Sequence, residues 1–360
     1  MTSSLVPLYG HDGLRRRLLS AADRGSLPAS LLFDGPRGVG KQRLALWLGQ
    51  ALLCTGGPDR PCGTCPACRF TRTLTHPDLH WLFPRPRLKD GDPSLEDVRE
   101  DYAEAVAERV AAHGLYPACP GTEGIYVATV RAIVRTAAMS PAMARRKVVI
   151  IGDAERMVPQ EGADAAANAF LKLLEEPPAD TTLILTSSEA GALLPTIRSR
   201  VVSIRVPRLT DESVAAFIAD PLVAARLEAD GVEEPTAELI RSADGSPGRL
   251  IGRASWAEAT AQARRLLDAA LSRDRSARYR VAFSQGASRA RGSFSETLEA
   301  LEGLLHTHAR AASTAGDERA AVGAAAAMAI VERAKEQAGG NVNPQLLSAA
   351  LLRDLAGLLQ

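Results

Sequence analysis

The chain has 360 residues, 46% apolar and only 4% aromatic, with a formal net charge of +1. That length and apolar content predict roughly two or three domains with substantial cores, and the abundance of Ala, Leu and Arg over aromatics favours helix over an all-β architecture. No apolar signal segment opens the chain and no window reaches about 18 continuous apolar residues, so the expectation is a cytoplasmic protein rather than an exported or membrane-spanning one, and the balanced charge leaves any nucleic-acid contact to a local patch.

His11–Arg24 carries Leu14, Leu18 and Ala21–Ala22 on one helical face. Leu31-Leu32-Phe33 reads as a buried parallel strand. Gly35-Pro36-Arg37-Gly38-Val39-Gly40-Lys41 follows, the G-x-x-x-x-G-K of a phosphate-binding loop. Gly35, Gly38 and Gly40 let successive N–H groups turn inward at an anion, Lys41 adds a positive charge, and the next helix presents its positive end. Ser or Thr usually completes the pattern and holds Mg²⁺. Here the residue is Gln42, whose longer carboxamide is a poorer ligand for a small, demanding cation. Lys41–Leu53 continues as a helix with Leu44, Trp47, Leu48, Ala51 and Leu52 in the core.

Cys54, Cys62, Cys65 and Cys68 come next, spaced C-x₇-C-x₂-C-x₂-C among Gly and Pro. Four thiolates can surround Zn²⁺, and the two-residue gaps suit adjacent ligands. A chain in a reducing compartment disfavours stable disulfides. No catalytic His or carboxylate sits in the cluster, so a closed structural site is expected. Cys119 stands apart and reads as a plain thiol. Asp78–Phe83 reads as the second strand, and His76 and His80 beside it as structural residues rather than metal ligands. Pro84–Gly124 reads as an insertion with basic residues Arg85, Arg87 and Lys89. A helix is expected over Ser94–His113, with Ser94 as N-cap. Its stripe of Val98, Tyr102, Val106 and Val110 suits either the body or a partner.

Ile125–Met139 is helical by pattern and carries Arg131 and Arg135. Arg145-Arg146-Lys147 precede a near-continuous apolar strand, Val148–Asp153, whose terminal acid is placed as a Walker B carboxylate near Mg²⁺. Active ATPases of this kind put a Glu directly after that acid; here the slot is Ala154. Glu155, one residue further on, is expected to point elsewhere as a solvated or helix-capping acid. Ala163–Glu176 is a helix stopped by Pro177-Pro178. Thr182–Ser187 is another buried strand, Thr196-Ile197-Arg198-Ser199-Arg200 a short helix and turn, and Val201–Val206 the last strand. Strands separated by helices predict a doubly wound parallel sheet with ligands at the strands' carboxyl ends, where Gly35, Asp153 and Ser187 fall. After Pro207 the strands stop. Thr210–Ile218 and Ala237–Ser242 are helical, and Gly245-Ser246-Pro247-Gly248-Arg249 opens a further helix. From about Trp256 to Gln360 the chain is helical by pattern, with breaks near Ser284–Ser293 and Gly339–Pro344.

Together these residues resemble the clamp-loader branch of the AAA+ ATPases, at its delta-prime family. The matching stretches are GPRGVGK with the cysteine module after its helix, IIGDAERM, NAFLKLLEEPP, TIRSR, and GSPGR at the sensor-2 position. They cover about residues 1–250; the remainder matches only by pattern. The resemblance implies an α/β plus all-α protein. Residues 1–207 would form a RecA-like parallel-sheet domain with a zinc module at 54–68 and an insertion at about 84–124. Residues 208–254 would form a helical lid, and 255–360 a helical collar that oligomerises. It also implies a ring with gamma/tau and delta subunits that uses ATP to set the sliding clamp on primed DNA, with this family as the rigid, non-hydrolysing stator. Residue by residue, Cys54, Cys62, Cys65 and Cys68 would hold zinc. Gly35, Gly38, Gly40, Lys41, Gln42, Asp153, Ser187 and Arg249 would surround an ATP or ADP that is not turned over. Ser199-Arg200 match the family's Ser-Arg-Cys, with Arg200 the arginine finger for a neighbour's ATP; Val201 replaces the Cys. Two other readings stand beside this one. One is a gamma/tau-type motor, which Gln42 and Ala154 argue against. The other is a zinc-containing nucleic-acid-binding protein outside any ring, suggested by the basic stretches Arg85–Lys89 and Arg145–Lys147.

Overall fold

The computed structural model describes residues 5–90, 93–116, 123–157, 164–232, 237–251, 253–272, 274–284, 291–338 and 343–359. Those up to Ile251 form one compact unit, and those from Arg253 onward form a second. Cys119, Ala163 and most of both expected breaks in the C-terminal helices lie outside the described residues.

In the first unit the chain runs α1 (Asp12–Asp23), β1 (Ser30–Asp34), α2 (Lys41–Leu53), α3 (Pro66–Arg72), β2 (Leu79–Leu82), α4 (Leu95–Ala111), α5 (Val127–Ala138), β3 (Lys147–Ile151), α6 (Asp164–Glu175), β4 (Thr181–Ser187), α7 (Pro195–Arg198) and β5 (Val202–Arg205). Three short helices follow, α8 (Asp211–Ile218), α9 (Pro221–Ala229) and α10 (Ala237–Ala243). The sheet is parallel throughout, in the order β2-β3-β4-β1-β5. Val148 to Ile151 and Leu183 to Leu185 are fully buried, as strands covered by helices on both faces must be. β5 is an edge, and its Val202 is largely exposed. The expected doubly wound sheet is therefore present, and the ends of β1, β3 and β4 meet on one rim.

Two clamps hold that rim in register. Asp78, buried just before β2, accepts from the backbone N–H groups of Ala142, Met143 and Ala144 at 2.5, 2.8 and 2.7 Å, which fixes the loop entering β3. Lys147, the first residue of β3, turns its ammonium onto the carbonyls of Thr136 and Met139 at the end of α5. The insertion is closed at its base by paired backbone hydrogen bonds between Arg85 and Gly124, each 3.0 Å. Its helix α4 begins with the expected cap, a reciprocal box between Ser94 and Asp97, and docks on the body. Val98, Tyr102, Ala105 and Arg109 form the buried face, and the Tyr102 hydroxyl donates to the Phe83 carbonyl at 2.5 Å.

Helices α8 to α10 build a separate small core from Val214, Ile218, Val223, Leu227 and Leu239, completed by Leu250 and Ile251. Sequence pattern missed α3 and α9, both of which start at a proline. The helix expected from Gly245 is only one 3₁₀ turn, Pro247–Leu250. The second unit contains α11 (Arg253–Leu271), α12 (Arg275–Phe283), α13 (Arg291–Thr314), α14 (Glu318–Ala338) and α15 (Pro344–Leu359). They pack around Leu266, Leu298, Leu301, Val331, Leu351 and Leu355. Among the described residues no helix is long and apolar enough to cross a membrane.

Candidate functional site

The phosphate-type loop lies where β1 ends. Gly35 donates its N–H to the Ser187 carbonyl at 3.3 Å. A Cβ on Gly35 would run into the carbonyl of Val206, so no other residue fits. Gly38 and Gly40 have φ of +78° and +99°, conformations that side chains disfavour. His11 supports the loop from α1 by donating from Nε2 to the Val39 carbonyl at 2.9 Å, and burial holds its imidazole below the ordinary histidine pKa. Lys41 is itself buried. Its ammonium donates to the carbonyls of Gly35 and Pro36, both at 2.8 Å, and to Ser188 Oγ at 2.9 Å. The strand-end hydroxyl that meets the lysine is therefore Ser188. Ser187 touches the loop through its backbone, while its own hydroxyl accepts from the Glu189 N–H at 3.1 Å.

Gln42 occupies the position where a hydroxyl would bind Mg²⁺. Its amide Nε2 donates to Asp153 Oδ2 at 3.1 Å, and its Oε1 accepts from Trp81 Nε1 at 3.0 Å. The side chain lies over Gly152, where a Cβ would stand 2.6 Å from Gln42 Oε1. Asp153 is held in the left-handed region, φ +47°, with its N–H donating to Thr186 Oγ1 at 3.1 Å. A protein amide thus takes up the Walker-type carboxylate, and the residues present do not fit a Mg²⁺ site. Ala154, in the slot of the water-activating acid, is buried and offers no polar group.

Glu155 departs from expectation. It is not a solvated or capping acid: its carboxylate turns inward, and Oε1 accepts from the Ser188 N–H at 3.0 Å. Burial, then the charge of Asp153, push its pKa above the usual carboxylate range. The 3₁₀ turn that follows Asp153 rotates residue 155 back toward the loop, which no helical or strand periodicity would show.

Two predicted residues approach differently. Gly248 donates its N–H to the Gly38 carbonyl at 2.9 Å, so the turn containing Arg249 rests directly on the loop. The Arg249 side chain, however, is directed to Asp244 at 3.8 Å, which also pairs with Arg208 at 2.8 Å. Arg200 lies outside this cradle. It pairs with Glu175 at 2.5 Å, and its Nη1 donates to the Thr196 carbonyl at 2.8 Å. Ser199 Oγ donates to the same carbonyl at 3.1 Å.

The cysteine module forms a second, separate site. The four sulfurs of Cys54, Cys62, Cys65 and Cys68 all lie within 4.8 Å of one another. Two sulfur–sulfur distances are 3.9 and 4.0 Å, close to the roughly 3.8 Å edge of a tetrahedron with 2.3 Å Zn–S bonds. Backbone N–H groups of Gly56, Cys62, Cys65 and Cys68 point at the sulfurs, each at 3.4 Å, as outer-shell donors do for thiolates. The Cys65 N–H, followed by Thr64, pulls the Cys62 thiol down to about 6. A side chain on Gly56 would strike Cys62 Sγ. These residues fit Zn²⁺ as a closed, structural centre. His76 and His80 stay out of the cluster; His76 Nδ1 accepts from the Asp78 N–H at 3.0 Å.

A parallel sheet with β1 between β4 and β5, a phosphate loop after β1, an acid after β3 and a 3₁₀ turn resting on the loop define a P-loop protein of AAA+ type. The family model described as "DNA polymerase III, delta subunit" matches residues 10–210, and the chain belongs to that family. It is similar to DNA polymerase III subunit delta' of Pseudomonas aeruginosa, 32% identical in an alignment 230 positions long that covers 58% of each chain. The same subunit of Haemophilus influenzae is 29% identical over 196 residues, 54% of this chain and 46% of that one. DNA polymerase III subunit gamma/tau of Mycobacterium tuberculosis is 28% identical over 246 residues, 68% of this chain and 35% of its own. The match to the two delta' relatives spans about half of their length.

Proposed function

We propose that the chain is the non-hydrolysing, stator-type member of a clamp loader. It works in a ring with gamma/tau and delta subunits that sets the sliding clamp on primed DNA. Its own loop cradles ATP or ADP without turnover, Zn²⁺ stabilises the cysteine module, and Arg200 with Ser199 serves the ATP of the neighbouring subunit. Under this reading the first unit divides into an α/β domain and a lid near residue 207, and the helical C-terminal unit is the oligomerising collar.

The observation that carries the proposal is the engagement of Gln42 with Asp153 and Trp81. Phosphoryl transfer depends almost wholly on positioned charge and metal, and here the metal-binding acid is bonded to an amide while Ala154 replaces the acid that would activate water. The similarity to gamma/tau subunits favours a second reading, an active motor. The two separate cleanly: the purified chain should show no ATPase, and turnover abolished by Lys41→Ala would establish the motor instead. A stand-alone nucleic-acid binder is disfavoured because both basic stretches lose members to internal contacts. Lys147 caps α5, and Arg85 makes a bidentate pair with Asp101 at 2.8 and 3.0 Å.

A further inference from the structure

Between α1, α2, the N-terminal segment and the cysteine module lies a cavity of about 560 Å³, within the roughly 300–1,000 Å³ span of small-molecule pockets. None of Gly35, Lys41 or Asp153 lines it, so it is distinct from the phosphate cradle. Its charge is one-sided: Arg15, Arg43, Arg60 and Arg72 line it against a single acid, Asp59. Arg15 pairs with Asp12 at 3.1 Å, Arg60 with Asp23, and Arg43 donates to the Val6 carbonyl. The Arg72 side chain has no hydrogen bond or ion pair among the described residues.

A second observation points to a missing acceptor. Trp47 lines the same cavity with 9% of its surface exposed, and its Nε1 is buried without a hydrogen-bond partner among the described residues. Arg15 Nε is in the same state, and the guanidinium lies over the Trp47 ring with Cζ 4.7 Å from the centroid. Buried donors normally find acceptors, and two adjoining exceptions beside an open cavity call for a cause. The rest of the wall includes Leu5, Leu19 and Leu46, which are apolar.

We propose that this cavity binds an organic oxyanion: a carboxylate or phosphate group held by Arg15, Arg72 and the Trp47 indole N–H, carried on an apolar body that lies against Leu19 and Leu46. Both orphaned donors are shut off from solvent, so the Arg15 side chain must shift for its Nε–H to reach the entering oxyanion. Charge-assisted hydrogen bonds to the planar guanidinium then replace the stacking contact.

The test uses the full ¹⁵N-labelled chain, with the Trp47 indole resonance identified by Trp47→Phe. Three probes are titrated: N-acetyl-L-leucine, phenyl phosphate and inorganic phosphate. The expected result is a saturable downfield shift of the Trp47 indole proton with at least one organic probe. Binding should be about tenfold tighter than for inorganic phosphate and about fivefold or more weaker in Arg72→Gln, as loss of a charge-assisted bond predicts. The tighter organic probe tells a carboxylate ligand from a phosphate one. A probe-induced rise in Tm, present in the natural chain and reduced in Arg72→Gln, gives the same readout should Trp47→Phe not fold. The proposal is overturned by the absence of both the shift and the Tm rise at about 20 mM of either organic probe. Equal affinity for inorganic phosphate, or indifference to Arg72→Gln, overturns it as well.

Discussion

At the scale of single residues, function in this chain is decided by where polar atoms end up. Gln42 is no passive replacement: both ends of its amide have partners, one of them the acid that would hold metal. Arg200 is the converse case. Its guanidinium stays partly exposed and is held by one carboxylate of its own chain, Glu175, a pair that a neighbouring triphosphate could outcompete. Arg200→Ala should therefore leave folding intact and remove turnover at the adjoining site of a reconstituted clamp loader, since an arginine finger is worth on the order of 10³-fold. An unchanged DNA-stimulated ATPase would refute the assignment. Asp78 offers a sharper stability test. Its carboxylate is buried and accepts from consecutive backbone N–H groups, which, against the cost of burial, hold its pKa below the usual range. Asp78→Ala strands those donors and should cost about 3 kcal/mol in urea unfolding. His80 gives the pH dependence. Burial, and then the nearby Lys147, push its pKa down to about 4. The folded state therefore prefers neutral His80, and the unfolded chain takes up the proton first as pH falls through about 6.5. Stability should decline between about pH 6.5 and 4 by up to about 3 kcal/mol, and no further from this group below that. His80→Asn should flatten that part of the profile in thermal melts across pH.

At the scale of elements, the insertion is the least expected piece. Its helix α4 sends Arg109 between the rings of Trp81, Phe83 and Tyr116, with Cζ 4.7, 3.2 and 4.0 Å from the centroids. Trp81 is the residue that holds Gln42. Beyond α4 the chain pairs with the N-terminal segment, His113 accepting from the Val6 N–H at 2.9 Å, and plants Leu115 in the small core of α8 to α10. The insertion thus ties the sheet's rim to the small core whose 3₁₀ turn rests on the phosphate loop. Leu115→Ala should destabilise by roughly 2–4 kcal/mol, and hydrogen exchange should show protection lost in α8 to α10 while β3 and β4 keep theirs. Equal loss in both places would count against this role. The cysteine module makes the parallel case. The purified chain should carry one zinc per molecule by elemental analysis, and Cys65→Ser or strong chelation should remove the metal and lower Tm, because metal binding and local folding are one equilibrium.

At the scale of the whole molecule, the chain combines a P-loop unit with one that is helical among the described residues, each with its own core. The features readable in the amino-acid order were those whose cause is local. The G-x-x-x-x-G-K loop, the cysteine spacing, the apolar runs of β3 and β4 and the prolines after α6 all report on neighbours within a few residues, where backbone conformation and burial set residue type directly. From these the parallel sheet, the resemblance to clamp loaders and the candidate metal ligands followed. What tertiary structure alone decided are pairings across long stretches of chain. Gln42 meets Asp153 and Trp81, Lys41 meets Ser188, Glu155 turns into the site, and Leu115, past the end of α4, fills another core. Periodicity reports which face of an element is buried, not which distant polar atom awaits it there. Those partners exist only once the sheet brings three strand ends onto one rim.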